Sequence, residues 1–285
     1  MLRVNRAFLA RILVAVDSSL SSLMAQESAA MIAKKSGSAV TVLHVIPEFR
    51  SIYEYSQNVG SEVLFSLERR SEDILSKANA LFTEENVPVN VITSRGEPAT
   101  AILDLATPEY DLIVIGACGE HEIDLCKLGS VTKKVERHVR RPILIAKKAG
   151  LLSNFLVCTD GSEHSIQALS FGVKLAKNLG AKITLLNVQE ELLQNISPKT
   201  AKEIGELVLT STINTIEEKN VEISKRVEYG TPSNVISDVA DDGKFDLIVL
   251  GSRGLGTSER FLLGSVSDDV SHSAKCSVMI IPPQG

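Results

Sequence analysis

The chain has 285 residues, 44% of them hydrophobic, only 4% aromatic and none of them tryptophan, with a formal net charge of −5. That length suits two domains whose cores are built from aliphatic side chains. The sequence holds no basic tract, no C-x-x-C pair and no apolar run of ~18 residues, which argues against nucleic-acid binding, a disulfide framework and a membrane span.

Arg3, Arg6 and Arg11 precede a short apolar run and invite reading as a leader peptide. The run ends at Asp17, however, and a near copy, Phe155–Asp160, recurs in mid-chain. Ile12–Val16 is therefore expected to be a first strand. Leu20, Leu23, Ala30 and Ala33 follow at helical steps and are expected to form one apolar face. Val40–Val45 reads as a second strand, with His44 inside it as a packing or hydrogen-bonding residue. After Gly96-Glu97-Pro98 comes Asp111-Leu112-Ile113-Val114-Ile115, a buried strand leading into Gly116-x-x-Gly119, nine residues, then Gly129-Ser130. Pro142–Ala146 closes the unit, and Ala149–Ser153 reads as a short joint that keeps the neighbouring unit close.

The whole series then repeats. Ile12–Asp17 matches Phe155–Asp160, and Val40–Val45 matches Ile183–Val188, both at an offset of 143. Gly96 matches Gly230 at 134, and Gly251-x-x-Gly254, nine residues, Gly264-Ser265 matches the first glycine motif at 135. The nine-residue shift places extra chain in the first copy, expected within Pro47–Gly60. Ile166, Leu169, Val173 and Ala176 mark the second copy's first helix. Continuous apolar strands alternating with helices predict an α/β fold: two doubly wound, Rossmann-like domains, residues 1–149 and 150–285, each a five-stranded parallel sheet of order 3-2-1-4-5.

In such a sheet a ligand sits where the strand order reverses, beyond the ends of strands 1 and 4. Those ends carry Asp17 and Gly116 in the first copy, and Asp160 and Gly251 in the second. Glycines allow close backbone approach, and Gly-Ser at a helix start offers free amides and a positive dipole end to a phosphate. Ser265 and Ser267 add hydroxyls, and Val188 adds an apolar wall for a base.

These residues resemble those of the universal stress proteins, here as two domains in tandem. The resemblance rests on Asp17 and Asp160, the two Asp-Leu-Ile-Val strands, and both G-x2-G-x9-G-S motifs, and it spans nearly the whole chain. It implies an adenine nucleotide (ATP, ADP or AMP) in the crevice and a role as a stress-response or regulatory module. By position, adenine would meet Asp160 and Val188, and ribose Leu250 and Gly251. The phosphates would meet Arg253, Gly254, Gly264, Ser265, Val266 and Ser267. The first copy offers Asp17, Val45, Ile115, Gly116, Gly119, Gly129, Ser130, Val131 and Thr132. The resemblance also implies pairing of the domains through their last strands, Ile143–Ala146 and Val278–Ile281, as a pseudo-dimer within the chain, with a homodimer of chains as a further level.

The copies differ in charge. Between Gly251 and Ser265 stand Arg253, Glu259 and Arg260, formally +1; between Gly116 and Ser130 stand Glu120, Glu122, Asp124 and Lys127, formally −2. The C-terminal crevice is therefore expected to be the better ATP site, with Mg²⁺ able to offset part of the repulsion in the other. Cys118, His121, Glu122, Asp124 and Cys126 are metal-ligating types, but they match no standard spacing and have no counterpart in the second copy, so a solvated loop is expected. His138 and His272 are expected to be exposed, Cys276 to be core, and the four cysteines to be reduced thiols of a cytoplasmic protein. No general base stands near a γ-phosphate, so at most slow hydrolysis is expected. Two alternatives remain. One is an ATP-dependent enzyme of the adenine-nucleotide α-hydrolase class, weakened because Asp17-Ser18-Ser19 and Asp160-Gly161-Ser162 replace its Ser-Gly-Gly loop. The other is an interaction module that binds no nucleotide.

Overall fold

The structure, a computed structural model, describes residues 8–48, 57–119, 128–218, 221–254 and 263–283. Its first half runs β1 (Arg11–Val16), α1 (Leu20–Ser36), β2 (Ala39–Ile46), α2 (Gln57–Glu84), β3 (Val89–Arg95), α3 (Pro98–Leu105), β4 (Leu112–Gly116), α4 (Ser130–His138) and β5 (Ile143–Ala146). The second runs β6 (Asn154–Cys158), α5 (Glu163–Leu179), β7 (Lys182–Gln189), α6 (Glu191–Ile196), α7 (Pro198–Asn214), β8 (Ile223–Tyr229), α8 (Pro232–Asp242), β9 (Leu247–Gly251), α9 (Ser265–Ser273) and β10 (Ser277–Ile281).

All ten strands join one sheet in the order β3-β2-β1-β4-β5-β10-β9-β6-β7-β8. Each half is a parallel sheet of internal order 3-2-1-4-5, as expected. Inner strands such as β4 are buried along their length because helices cover both faces. The outer strand β3 shows no fully buried position. Polar side chains there suit a sheet edge.

The two halves meet through β5 and β10, which pair antiparallel with Leu144 opposite Met279. Those two residues are equivalents at the motif offset of 135, so the seam is centred on a local two-fold axis, as expected of paired last strands. One apolar cluster on each face runs through both halves. Phe8 adds an edge-to-face contact with Phe171, ring centroids 4.8 Å apart.

Local signals set the first helices. The Ser19 hydroxyl accepts from the Ser22 amide at 3.1 Å and caps α1; Ser162 caps α5 by accepting from Ser165 at 3.3 Å. Gly37 and Gly180, at φ 71° and 74°, end the two helices in the left-handed conformation. One expectation holds for Ala30 and Ala33, which are buried, and fails for the two leucines. Leu20 and Leu23 are 60% and 41% exposed, while Ser21, Ser22, Ala25, Ala29 and Ile32 are buried. The inward face of α1 is rotated from the one the leucines mark, because Ser21 and Ser22 bond the ends of β1 and β4. Leu169, Val173 and Ala176 of α5 do face the core, with Ile166 half-buried. Between its second and third strands the first half is longer than the second, as the offsets imply. Ten residues, 47–56, connect β2 to α2, where Glu190 alone connects β7 to α6. Residues 49–56 are outside the described residues.

Candidate functional site

The switch point between β1 and β4 opens into a cavity of about 440 Å³. Asp17 follows β1, and its Oδ1 accepts from the Ser19 amide at 2.9 Å. The expected positions Asp17, Val45, Ile115, Gly116 and Gly119 all line this cavity. So do Gly129, Ser130, Val131 and Thr132 at the start of α4. Leu43, Ile102 and Val45 make an apolar wall of the kind an aromatic base can lie against.

The glycines divide into two roles. A Cβ on Gly116 would stand 2.7 Å from the Ser21 carbonyl carbon, and one on Gly251 would stand 2.8 Å from the His164 backbone. These two glycines let α1 and α5 sit on the strand ends. Gly119 and Gly254 instead face the aspartates: a Cβ would lie 3.4 Å from Asp17 Oδ2 and 2.5 Å from Asp160 Oδ2 respectively. The glycine motif thus serves helix packing at its first position and keeps space beside the carboxylate at its second.

Gly129 and Gly264 are the N-caps of α4 and α9, and neither helix start carries a side-chain cap. Their first-turn amides therefore face the crevice without a capping oxygen, the arrangement that favours an anion. The Thr132 hydroxyl donates to the Gly116 carbonyl at 2.8 Å, and Ser267 donates to the Ser252 carbonyl at 3.1 Å. These hydroxyls pin the helix to the strand end, leaving the exposed Ser130 and Ser265 as the hydroxyls open to a ligand. His44 Nδ1 donates to the Val16 carbonyl at 2.8 Å, and Asn187 Nδ2 donates to the equivalent Thr159 carbonyl at the same distance. The histidine and its asparagine counterpart do the same job.

The second crevice repeats the plan with different walls. Asp160 Oδ1 accepts from Ser162 at 3.0 Å, Leu250 is buried, and Val188, Gly251 and Val266 are half-buried. Arg253 stands where the first copy has Cys118, and its buried Nε has no hydrogen-bond partner among the described residues. Gly161, at φ 83°, lies against Val208 of α7. The loop charges that separate the copies, Glu120 to Lys127 and Glu259 to Arg260, lie outside the described residues, as do His121, Glu122, Asp124 and Cys126. Among the described residues no group of metal-ligating side chains converges. Sequence reasoning missed Arg70 and Leu67 of α2, which line the first cavity. They belong to no motif and come from a long amphipathic helix.

Where α4 and α9 meet across the seam, Glu136 is 3% exposed and neither carboxyl oxygen has a hydrogen-bond partner among the described residues. The Ser271 hydroxyl beside it donates to the Asp268 carbonyl at 2.8 Å. Burial, with Asp268 adding repulsion, pushes the Glu136 carboxyl up to about 7 against the partial opposition of Ser271, Arg137 and Lys147. Arg137 forks onto Asp268 at 3.1 and 3.2 Å, and Lys147 Nζ donates to the Ala274 carbonyl at 2.7 Å. Glu97, the cap of α3, is held at about 2 by Lys134 and Thr100. Burial pushes the Cys276 thiol up to about 11 and the Cys158 thiol higher still, so both are inert core thiols. His138 is exposed as expected, whereas His272 is half-buried, its Nδ1 on the Asp268 carbonyl at 2.6 Å.

The sequence is 30% identical over 147 residues to a universal stress protein of Methanocaldococcus jannaschii, covering 48% of this chain and 86% of the relative. It is also 30% identical over 137 residues to a putative universal stress protein of Staphylococcus aureus, covering 45% and 82%. The fold matches the crystal structure of a universal stress protein from Archaeoglobus fulgidus with a TM-score of 0.70 and 21% identity, over 97% of this chain and 98% of that one. A putative universal stress protein from Pseudomonas aeruginosa matches with a TM-score of 0.68 and 17% identity, over 96% and 94%. No described helix is long and apolar enough to cross a membrane. The profile of the Universal stress protein family matches twice, at residues 9–147 and 152–282, and the chain belongs to that family as a tandem of two of its domains.

Proposed function

We propose that this chain binds an adenine nucleotide (ATP, ADP or AMP) at the switch point of each domain and acts as a nucleotide-responsive stress or regulatory module. The observation that carries the reading is the first cavity. One apolar wall, one carboxylate and one uncapped helix start line a space of about 440 Å³, within the range of small-ligand sites. A base suits Val45 and Leu43, a ribose suits Ile115 and Gly116, and phosphates suit the first-turn amides of Ser130 to Thr132. In the second domain Asp160, Val188, Leu250 and Gly251 take the nucleoside, while Arg253, Gly254 and Gly264 to Ser267 take the phosphates. The C-terminal crevice prefers the triphosphate, because Arg253 stands at its loop and the first loop carries a formal −2. Mg²⁺ accompanies a triphosphate in the first crevice.

The nucleotide acts as a ligand, with at most slow turnover. The buried thiols of Cys158 and Cys276 suit a reducing cytoplasm. Mass spectrometry of small molecules released from freshly purified, denatured protein tests the reading, together with calorimetry of ATP, ADP and AMP. An adenine nucleotide is expected at up to two per chain. No binding at millimolar nucleotide would leave an interaction module, and release of AMP and pyrophosphate with an acceptor would make it an enzyme.

A further inference from the structure

Arg70 sits in the middle of α2 and lines the first cavity. Its Nη2 donates to Ser18 Oγ at 2.7 Å, one residue beyond Asp17. Among the described residues lining that cavity, Arg70 is the one with a fixed positive charge and Asp17 the one carboxylate. In the second half the equivalent position is Ile204. The offset of 134 that aligns Gly96 with Gly230 also aligns buried Ser71 with Gly205, Leu75 with Leu209, Ala78 with Thr212 and Phe82 with Ile216. The loop position after β4 shows the reverse: Cys118 in the first half, Arg253 in the second. Each crevice therefore carries one arginine at these positions, drawn from opposite walls.

We infer that Arg70 is the phosphate-binding cation of the first crevice, replacing from α2 the charge that Arg253 supplies to the second. This assignment rests on the reading that the crevice takes an adenine nucleotide. A guanidinium presents paired N–H donors that match phosphate oxygens, and such charge-assisted bonds are stronger than a bond to a neutral hydroxyl. The Ser18 hydroxyl accepts from Nη2 of the fork and places the guanidinium at the cavity wall. The amides at the start of α4 are partial charges only, and Arg70 adds a full positive charge to the same cavity. The nucleotide's phosphates in the first crevice are then gripped on the β1 side, and the first domain selects nucleotides over nucleosides by a residue outside the glycine motif.

The test uses the full chain carrying Gly264→Asp to silence the second crevice, with folding checked by circular dichroism. ATP, AMP and adenosine are titrated by calorimetry with and without Arg70→Gln. The expected result is a roughly tenfold loss for ATP and AMP, no change for adenosine, and partial recovery with Arg70→Lys. An unchanged ATP affinity, or an equal loss for adenosine, overturns the assignment while leaving the nucleotide reading intact. Failure of the Arg70 chain to bind any of the three overturns both. If Gly264→Asp prevents folding, the same titrations on the otherwise unsubstituted chain decide: a phosphate-dependent loss in one of two binding steps supports the assignment, and no loss overturns it.

Discussion

The two crevices share a frame and differ in their walls. In both, an aspartate follows the first strand, a glycine admits the first helix, and an uncapped helix start faces the opening. Ser18 and Cys118 of the first become Gly161 and Arg253 of the second, and Arg70 becomes Ile204. Backbone geometry is held in common, while the arginine stands at a different position in each half. The duplicated crevices keep the residues that build them and vary the charged residues around them.

The largest expected effect strikes the shared frame. Gly116→Val and Gly251→Val each force a branched side chain into helix backbone less than 3 Å away, and each should cost about 3 kcal/mol of stability or more. Urea midpoints check this. A loss confined to one of the two positions would break the equivalence of the copies.

Glu136 gives the next effect and separates the halves, since its equivalent is Ser271. The folded carboxyl holds its proton to about pH 7, against 4.5 for the ordinary group. Its contribution is complete below about pH 4.5 and is lost as pH rises to 7. Stability should fall across that window by on the order of 2–3 kcal/mol. Glu136→Gln should flatten the profile and raise the melting temperature at pH 8, and an unchanged profile would show that the carboxyl finds solvent.

A smaller effect sharpens the ligand comparison. Arg253→Gln should weaken ATP at the second crevice by about tenfold and leave the first unchanged. Two-site calorimetry reads this directly, and equal losses at both would contradict separate walls. Smallest is the cap of α3. The Glu97 carboxylate accepts from the Ala99 and Thr100 amides at 3.2 and 2.8 Å, whereas Thr231 makes no side-chain cap on α8. Glu97→Ala should cost under about 1 kcal/mol, given its exposure. Because its folded carboxyl is depressed to about 2, that contribution is present above pH 4.5 and fades as pH falls toward 2. Acid titration of the melting temperature in both proteins checks the sign.

The repeat made the fold legible. Matched strands at fixed offsets imply matched sheets, and a buried parallel strand leaves a continuous apolar run that a sequence shows plainly. The inward face of α1 was not legible, because Ser21 and Ser22 bury through hydrogen bonds rather than hydrophobicity. The glycine motif announced the crevice but not its division of labour, since contact between Gly116 and Ser21 spans 95 positions of chain. Arg70 left no signal at all: one arginine on a charged helix face gains meaning only when the helix is docked against Ser18.

The seam between β5 and β10 has an ancestral consequence. In a homodimer, any residue on the two-fold axis must meet its own copy, so a glutamate at the position of Glu136 would face a glutamate. Fusion into one polypeptide lifts that constraint. Here Glu136 stands beside Ser271, and Arg137 grips Asp268 where strict symmetry would demand one residue type for both copies at each position. Covalent linkage also makes the pairing independent of protein concentration. Each half is then free to mutate at its own pace without losing its partner, and the divergence of the two crevices is what such freedom permits.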